Sequence, residues 1–213
     1  FVARDRFGIK PLYLNQTSQR LRFASSLPAL LAGGDVDTTL DTVALHHHFT
    51  LHTVVPAPRT VLKGVRKLAP ASTLRLDPDG TVTEQIYWTL DATRPEQPMS
   101  EAQWLAATRE QLAQSVKRRL LAADVPVGVL LSGGLDSSLL VGLLADQVPD
   151  LRTFSIGFED LGAGAEKADE FEYSDLIAKH FHTHHQQFSI SNQEVMQRLP
   201  EAVAQMTEPM VSH

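Results

Sequence analysis

Cysteine is absent from all 213 residues of the chain. That excludes disulfides, thiolate zinc sites and a cysteine nucleophile within this stretch. It agrees with a reducing compartment, and a cytoplasmic location is the expectation. No signal peptide and no apolar run long enough to span a bilayer is visible, so no membrane is expected as partner. Basic charge is also scarce. Nineteen Lys and Arg stand against 25 Asp and Glu, for a net charge of −6. Nucleic acid is therefore not expected as a partner, because binding its phosphates needs a basic face. Internal repeats and low-complexity stretches are missing too. What is present is 43% hydrophobic residues in a length that fits one large or two small domains with buried cores. The first residue is Phe1 rather than an initiator methionine, and the last residues, through His213, form no polar tail. A piece of a longer protein is the expectation.

The pattern changes along the chain. Residues 1–90 read as strands and turns. Residues 20–24 alternate polar and apolar side chains, as a half-buried strand does. The turn DPDG at 77–80 joins residues 72–76 to 81–87 as a hairpin, with Pro78 presetting φ and Gly80 accepting a positive φ. Residues 91–99, with Pro95 and Pro98 among polar neighbours, read as a linker. From residue 100 strands and helices alternate. Ser100 and Gln103 form a capping box, and Leu105, Leu112, Val116 and Leu120 follow at helical spacing. Strands are expected at 125–131, 151–158 and 186–190, and helices at 137–148 and 170–181. A last helix is capped by Ser191 and Glu194 and interrupted or restarted at Pro200. Alternation of this kind implies a parallel sheet covered on both faces.

The chemistry lies in VGVLLSGGLDSS at 127–138, a strand, a glycine-rich turn and a helix start. Ligands of open α/β sheets bind beyond the carboxyl ends of the strands. A helix start offers unpaired N–H groups and positive dipole. Gly133 and Gly134 let the backbone approach an anion, and Ser132, Ser137 and Ser138 add hydroxyls. Together they suit a phosphate or pyrophosphate. No lysine follows as in a Walker loop, and the dinucleotide fingerprint GxGxxG is missing. Instead a carboxylate, Asp136, sits in the turn. It would repel bare phosphate, so the arrangement makes sense with a magnesium ion between them. The bland alternative is a tight turn in which Ser132 and Asp136 merely cap a helix.

SGGLDSS at 132–138 resembles the pyrophosphate-binding loop of the ATP pyrophosphatases, which adenylate a carbonyl oxygen. RDRFGIKPLY at 4–13 and FASS at 23–26 resemble the late strands of the class II glutaminase (Ntn) domain of glutamine-dependent asparagine synthetases. PAPRT at 56–60 and KGVRKLAP at 63–70 resemble that family's joining segment. SVKRRL at 115–120 and DVP at 124–126 are similar to its approach to the loop. The resemblance covers essentially the whole chain. It implies a fold of α/β class: a Rossmann-like parallel sheet of the ATP pyrophosphatase type, preceded by a β-rich remnant of the glutaminase. The boundaries it implies are residues 1–90 for the closing part of the glutaminase with the connecting segment, 91–99 for the linker, and 100–213 for the opening part of the synthetase.

The resemblance also implies a site. Ser132, Gly133, Gly134, Asp136 and Ser137 would hold the ATP phosphates, with Asp136 on magnesium. Leu130 matches a nucleotide-contacting leucine. Ile156, in TFSIG at 153–157, matches an aliphatic residue that meets adenine through its backbone, although a plain strand-interior role explains it equally. The implied partners are glutamine and a carboxylate acceptor, aspartate or a small peptide, and the resemblance allows a homodimer. The implied reaction is ATP-dependent amide formation through an acyl-adenylate. The family's glutaminase cysteine, its second glycine-rich loop and its catalytic lysine have no counterpart here, so no catalytic set is complete in this stretch. Residues 166–174 and 207–213 look more like the N-acetylglutaminylglutamine amidotransferase branch. Rival readings are a β-lactam synthetase-like ligase and a nucleotide-binding protein without turnover. His46, His47 and His48 are consecutive and cannot all face one metal from a helix. His180, His182, His184 and His185 lack a cysteine or evident carboxylate to complete a zinc set, so packing roles are favoured. The charged run at 166–172 reads either as a solvated helix start or as facing substrate.

Overall fold

The structure is a computed structural model, and it describes residues 1–94, 97–158, 171–206 and 208. The chain divides into two compact units, Phe1–Thr93 with Pro200–His213, and Arg94–Leu199.

The first unit holds two antiparallel three-stranded sheets. One joins β1 (Val2–Ala3), β5 (Ser72–Leu76) and β6 (Val82–Ile86) in the order β1-β5-β6. The other joins β2 (Tyr13–Gln16), β3 (Leu21–Ala24) and β4 (Arg66–Lys67) in the order β3-β2-β4. The DPDG turn closes the β5–β6 hairpin, with the Gly80 N–H on the Asp77 carbonyl at 2.9 Å and Gly80 at φ +87°. Successive strand residues face opposite sides. Tyr13 accordingly packs with Leu27, Leu30 and Val65, while Leu14 packs with Leu68 and Leu74. Strand β2 is therefore buried on both faces and forms the centre of this unit.

The unit is not strands and turns alone. Helix α1 (Leu27–Ala32) and helix α2 (Thr42–Thr50) interrupt it. Ser26 caps α1 by accepting the Ala29 N–H, and Pro28 stands in its first turn. Asp41 caps α2 by accepting the N–H groups of Val43 and Ala44 at 2.9 and 3.1 Å. These side-chain caps satisfy donors that a short helix would otherwise leave bare. Both helices are too short for a periodic stripe to stand out in the sequence.

The second unit follows the expected order closely. Helix α3 (Glu101–Ala122) begins with the Ser100–Gln103 capping box, both halves of which are formed. Only Val116 on it is buried, while Leu105 stays exposed. Then come β7 (Gly128–Leu130), α4 (Leu135–Ala145), β8 (Arg152–Phe158), α5 (Phe171–His180) and β9 (His184–Ile190). The three strands pair in parallel, in the order β7-β8-β9. The architecture is thus mixed α/β.

The expectation of a sheet covered on both faces does not hold among the described residues. Val129, Leu131, Val141, Leu144, Leu151 and Ala178 form one core between the sheet and α4 and α5, with Val116 of α3. The opposite face carries Leu130, Ile156, Phe158 and Phe188, all exposed. The strand order gives the reason. Parallel crossovers are right-handed, so two that step in the same direction put both helices on the same side. Helix α6 (Asn192–Gln205) is capped by Ser191 and Glu194 and runs through Pro200 without interruption. It has no buried residue. A carbonyl that loses its donor there can be solvated, so the proline costs less than it would in a core. The linker residues Pro95 and Glu96, the charged run up to Glu170, and most of residues 207–213 lie outside the described residues.

Candidate functional site

Strand β7 ends at Leu130, and the Leu131 N–H extends its ladder to the Phe154 carbonyl at 2.7 Å. The chain must then turn sharply to start α4 at Leu135. Gly133 makes that turn with φ +84°. A side chain there would be strained by the backbone alone. Space forbids one as well. A Cβ on Gly133 would lie 2.5 Å from Tyr173 Cβ and 2.8 Å from the Ser174 nitrogen, in the first turn of α5. Gly134 differs. Its φ is −69°, and its Cβ would meet only the Ser132 hydroxyl, at 3.3 Å.

Gly134 is the N-cap of α4 and offers no side-chain cap. The Ser138 N–H reaches the Gly134 carbonyl at 3.0 Å and opens the helical ladder. The N–H groups of Leu135, Asp136 and Ser137 precede it, with the positive end of the helix dipole behind them. The hydroxyls hold the loop together. Ser132 Oγ accepts the Gly134 N–H at 3.3 Å and lies 3.2 Å from Ser137 Oγ, which donates to the Gly134 carbonyl at 3.2 Å. Ser138 Oγ is buried with no hydrogen-bond partner among the described residues. Asp136 is exposed in the first turn of α4.

The structure brings Ser132, Gly133, Gly134, Asp136 and Ser137 into one turn at the carboxyl end of β7. Leu130 and Ile156 stand beside it on the uncovered sheet face, 71% and 52% exposed. Leu130 pairs with Phe154, so Ile156 lies two residues further toward the carboxyl ends of the strands, on the same face. Tyr173 and Ser174, which press on Gly133, were not foreseen. No local pattern signals a contact across about 40 positions. The histidines are dispersed. His46, His47 and His48 lie on α2, His184 is exposed near Asp150 at 3.5 Å, and His185 is half-buried beside β8. Among the described residues no three His, Cys, Asp or Glu side chains are grouped to hold a metal. No described helix is long and apolar enough to cross a membrane.

Comparison with known proteins gives two family matches. Residues 107–213 match the asparagine synthase family, and residues 1–88 match a glutamine amidotransferase domain. Among curated proteins, the chain is 33% identical over 210 residues to asparagine synthetase [glutamine-hydrolyzing] 1 of Bacillus subtilis, covering 99% of this chain and 32% of that protein. It is 32% identical over 193 residues to putative asparagine synthetase [glutamine-hydrolyzing] 2 of Methanocaldococcus jannaschii, covering 88% and 36%. It is 28% identical over 213 residues to asparagine synthetase [glutamine-hydrolyzing] 3 of Bacillus subtilis, covering 95% and 34%. The chain thus spans about a third of the length of these relatives.

Proposed function

The chain belongs to the asparagine synthase family, and from that premise we propose that it carries the ATP-binding loop of a glutamine-dependent, amide-forming ligase. In this reading residues 100–213 open a Rossmann-like ATP pyrophosphatase domain. Residues 91–99 link it to residues 1–90, the closing part of a class II glutaminase domain. The acceptor is a carboxylate, aspartate or a small peptide. Its adenylation releases pyrophosphate, and ammonia from glutamine then displaces AMP to form the amide.

The residues present fit a phosphate chain. The first turn of α4 has no side-chain cap, and Ser138 Oγ lacks a partner among the described residues. Gly133 brings backbone where any side chain would collide with α5. The N–H groups of Leu135, Asp136 and Ser137 bind phosphate oxygens, and the hydroxyls of Ser132 and Ser137 orient them. These donors are held in place beforehand, so they stabilise charge on the departing pyrophosphate at little reorganisation cost. The backbone of Ile156 and the side chain of Leu130 receive the adenine. Magnesium, held by Asp136, would neutralise charge between the carboxylate and the phosphates.

One observation carries the reading: an uncapped helix start behind a left-handed glycine, in the segment that matches the asparagine synthase family. The test titrates pyrophosphate into the polypeptide by calorimetry across a Mg²⁺ series. Asp136→Ala and Asp136→Asn are compared with wild type, because Asn keeps the first-turn polarity without the charge. Both variants are expected to bind about tenfold or more weakly, as for a lost hydrogen-bonded charge, and to lose the Mg²⁺ dependence. In the intact parent, adenylation is expected to fall by about 10²-fold. Wild-type affinity and an unchanged Mg²⁺ requirement in Asp136→Asn would overturn the metal role.

A further inference from the structure

A chain of buried and half-buried polar groups in the parallel-sheet unit ends on the residue that enters the loop. Thr153 and Ser155 are 0% and 5% exposed, on the sheet face covered by α4 and α5. Hydrophobic residues are the usual occupants of such a face, and buried hydroxyls must be hydrogen-bonded to be tolerated. Here every one of them is. Ser155 Oγ donates to the Leu131 carbonyl. Ser155 Oγ also lies 3.3 Å from His185 Nε2. Thr153 Oγ1 lies 2.8 Å from His185 Nδ1 and 2.7 Å from Thr183 Oγ1.

For a neutral imidazole at position 185 the proton directions follow by elimination. The single hydroxyl hydrogen of Ser155 goes to Leu131, so its oxygen can only accept from His185. His185 must then carry its hydrogen on Nε2. In the neutral ring Nδ1 is an acceptor, so Thr153 donates to it and accepts from Thr183. Asp175, whose Oδ1 is 3.7 Å from Nε2, favours the same tautomer. Gln187 holds that carboxylate in place, donating to Oδ1 at 2.6 Å. The result is one directed relay, Thr183 to Thr153 to His185 to Ser155 to the Leu131 carbonyl, in which each bond polarises the next.

Leu131 is the last residue before Ser132. Its N–H is fixed to the Phe154 carbonyl, and its C=O is fixed by the Ser155 hydroxyl. In a regular parallel ladder that carbonyl would accept the Ile156 N–H instead. Among the described residues no such backbone bond is made. The Ser155 hydroxyl thus takes over the carbonyl where the β7–β8 ladder stops, and the turn at Gly133 starts from a residue held at both its N–H and its C=O.

We propose that His185 and Ser155 are positioning residues for the loop at 132–137: His185 orients the Ser155 hydroxyl, which holds the Leu131 carbonyl and sets the pose of the loop. The consequence for nucleotide binding rests on the function proposed above, but the positioning itself does not.

The experiment has three readouts on the full 213-residue chain. The ¹⁵N spectrum of the His185 ring is expected to show the neutral tautomer protonated on Nε2. A ring protonated on Nδ1, or an averaged mixture, overturns the relay. Residue-resolved hydrogen exchange is then compared among wild type, Ser155→Ala, His185→Ala and His185→Gln. The hydrogen-bonded amides at the loop, Leu131 on the Phe154 carbonyl and Gly134 on Ser132 Oγ, are expected to exchange about tenfold faster in the two alanine variants, as for a local opening made easier. Amides inside α4 and in the β8–β9 ladder should change far less. His185→Gln keeps an N–H donor and is expected to restore most of the protection. Unchanged loop amides, or a rise shared equally by the whole unit, overturn the proposal in favour of plain packing. Mg²⁺-pyrophosphate affinity is measured on the same proteins. Loop amides that respond in a protein whose wild type binds no pyrophosphate uphold the positioning role and refute the phosphate reading.

Discussion

Two adjacent glycines in one loop should respond very differently to the same substitution. Gly133 has φ +84°, and a Cβ there meets Tyr173 Cβ at 2.5 Å, the Ser174 nitrogen at 2.8 Å and the Tyr173 carbonyl carbon at 3.0 Å. Two of those three atoms are backbone in a helix and cannot swing aside. Gly133→Ala therefore carries a left-handed backbone cost of about 1–2 kcal/mol and an overpacking cost of about 1–3 kcal/mol. The sum is about 2–5 kcal/mol. Gly134→Ala keeps an ordinary extended φ of −69° and meets only the Ser132 hydroxyl, at 3.3 Å. Its cost is that of a poorer N-cap, about 1 kcal/mol or less. Urea denaturation read by circular dichroism measures both, provided the transition of the parallel-sheet unit is resolved. Trp104, on α3 of that unit, gives a second, fluorescent probe. Gly133→Ala should also abolish Mg²⁺-pyrophosphate binding at denaturant-free conditions, since the turn can form only by shifting away from α5. If Gly133→Ala is as stable as Gly134→Ala, the close packing of the loop on α5 is wrong.

Lys67 is 8% exposed, with Nζ 2.6 Å from the Val55 carbonyl and 3.0 Å from both carboxylate oxygens of Glu208. Glu208→Ala leaves that ammonium buried with one acceptor and should cost on the order of 3 kcal/mol, whereas replacing both partners, Lys67→Met with Glu208→Leu, should recover most of it; a double-mutant cycle by denaturation decides. Asp5 accepts the N–H groups of Lys10 and Ile9 at 3.0 Å and of Phe7 at 3.2 Å, which hold its carboxyl below the ordinary 3.8, the Lys10 bond most of all. A depressed folded value means the contribution is complete above the unfolded value and is lost as pH falls through the folded one, so Asp5→Asn should flatten the stability–pH curve below about pH 4 and leave its shape near neutrality unchanged. Without a cysteine, the polypeptide should release no ammonia from glutamine; ammonia above a buffer control, from homogeneous protein, would contradict this.

The sequence by itself determined the local features. Ser100 with Gln103, Ser191 with Glu194 and the DPDG turn each satisfy their hydrogen bonds within a few residues, so their chemistry is visible in order along the chain. The strand, glycine turn and helix around 132–137 were legible for the same reason. Helices α1 and α2 were less so. Their caps, Ser26 and Asp41, stand in plain view, but six and nine residues carry too little periodicity to outweigh the surrounding strands. Tertiary structure alone decided the rest. The order β7-β8-β9, which no local pattern encodes, put both crossover helices on one face and left Ile156 and Leu130 uncovered. It also made two chemically identical glycines unequal, because only Gly133 meets the first turn of α5. Thr153 and Ser155 read as ordinary strand residues, and His185 as one of four histidines without a completed zinc set, until parallel register set Thr153 opposite His185. Hydrogen-bond partners some 30 residues apart are chosen by strand pairing, and that pairing is a property of the folded sheet rather than of either segment.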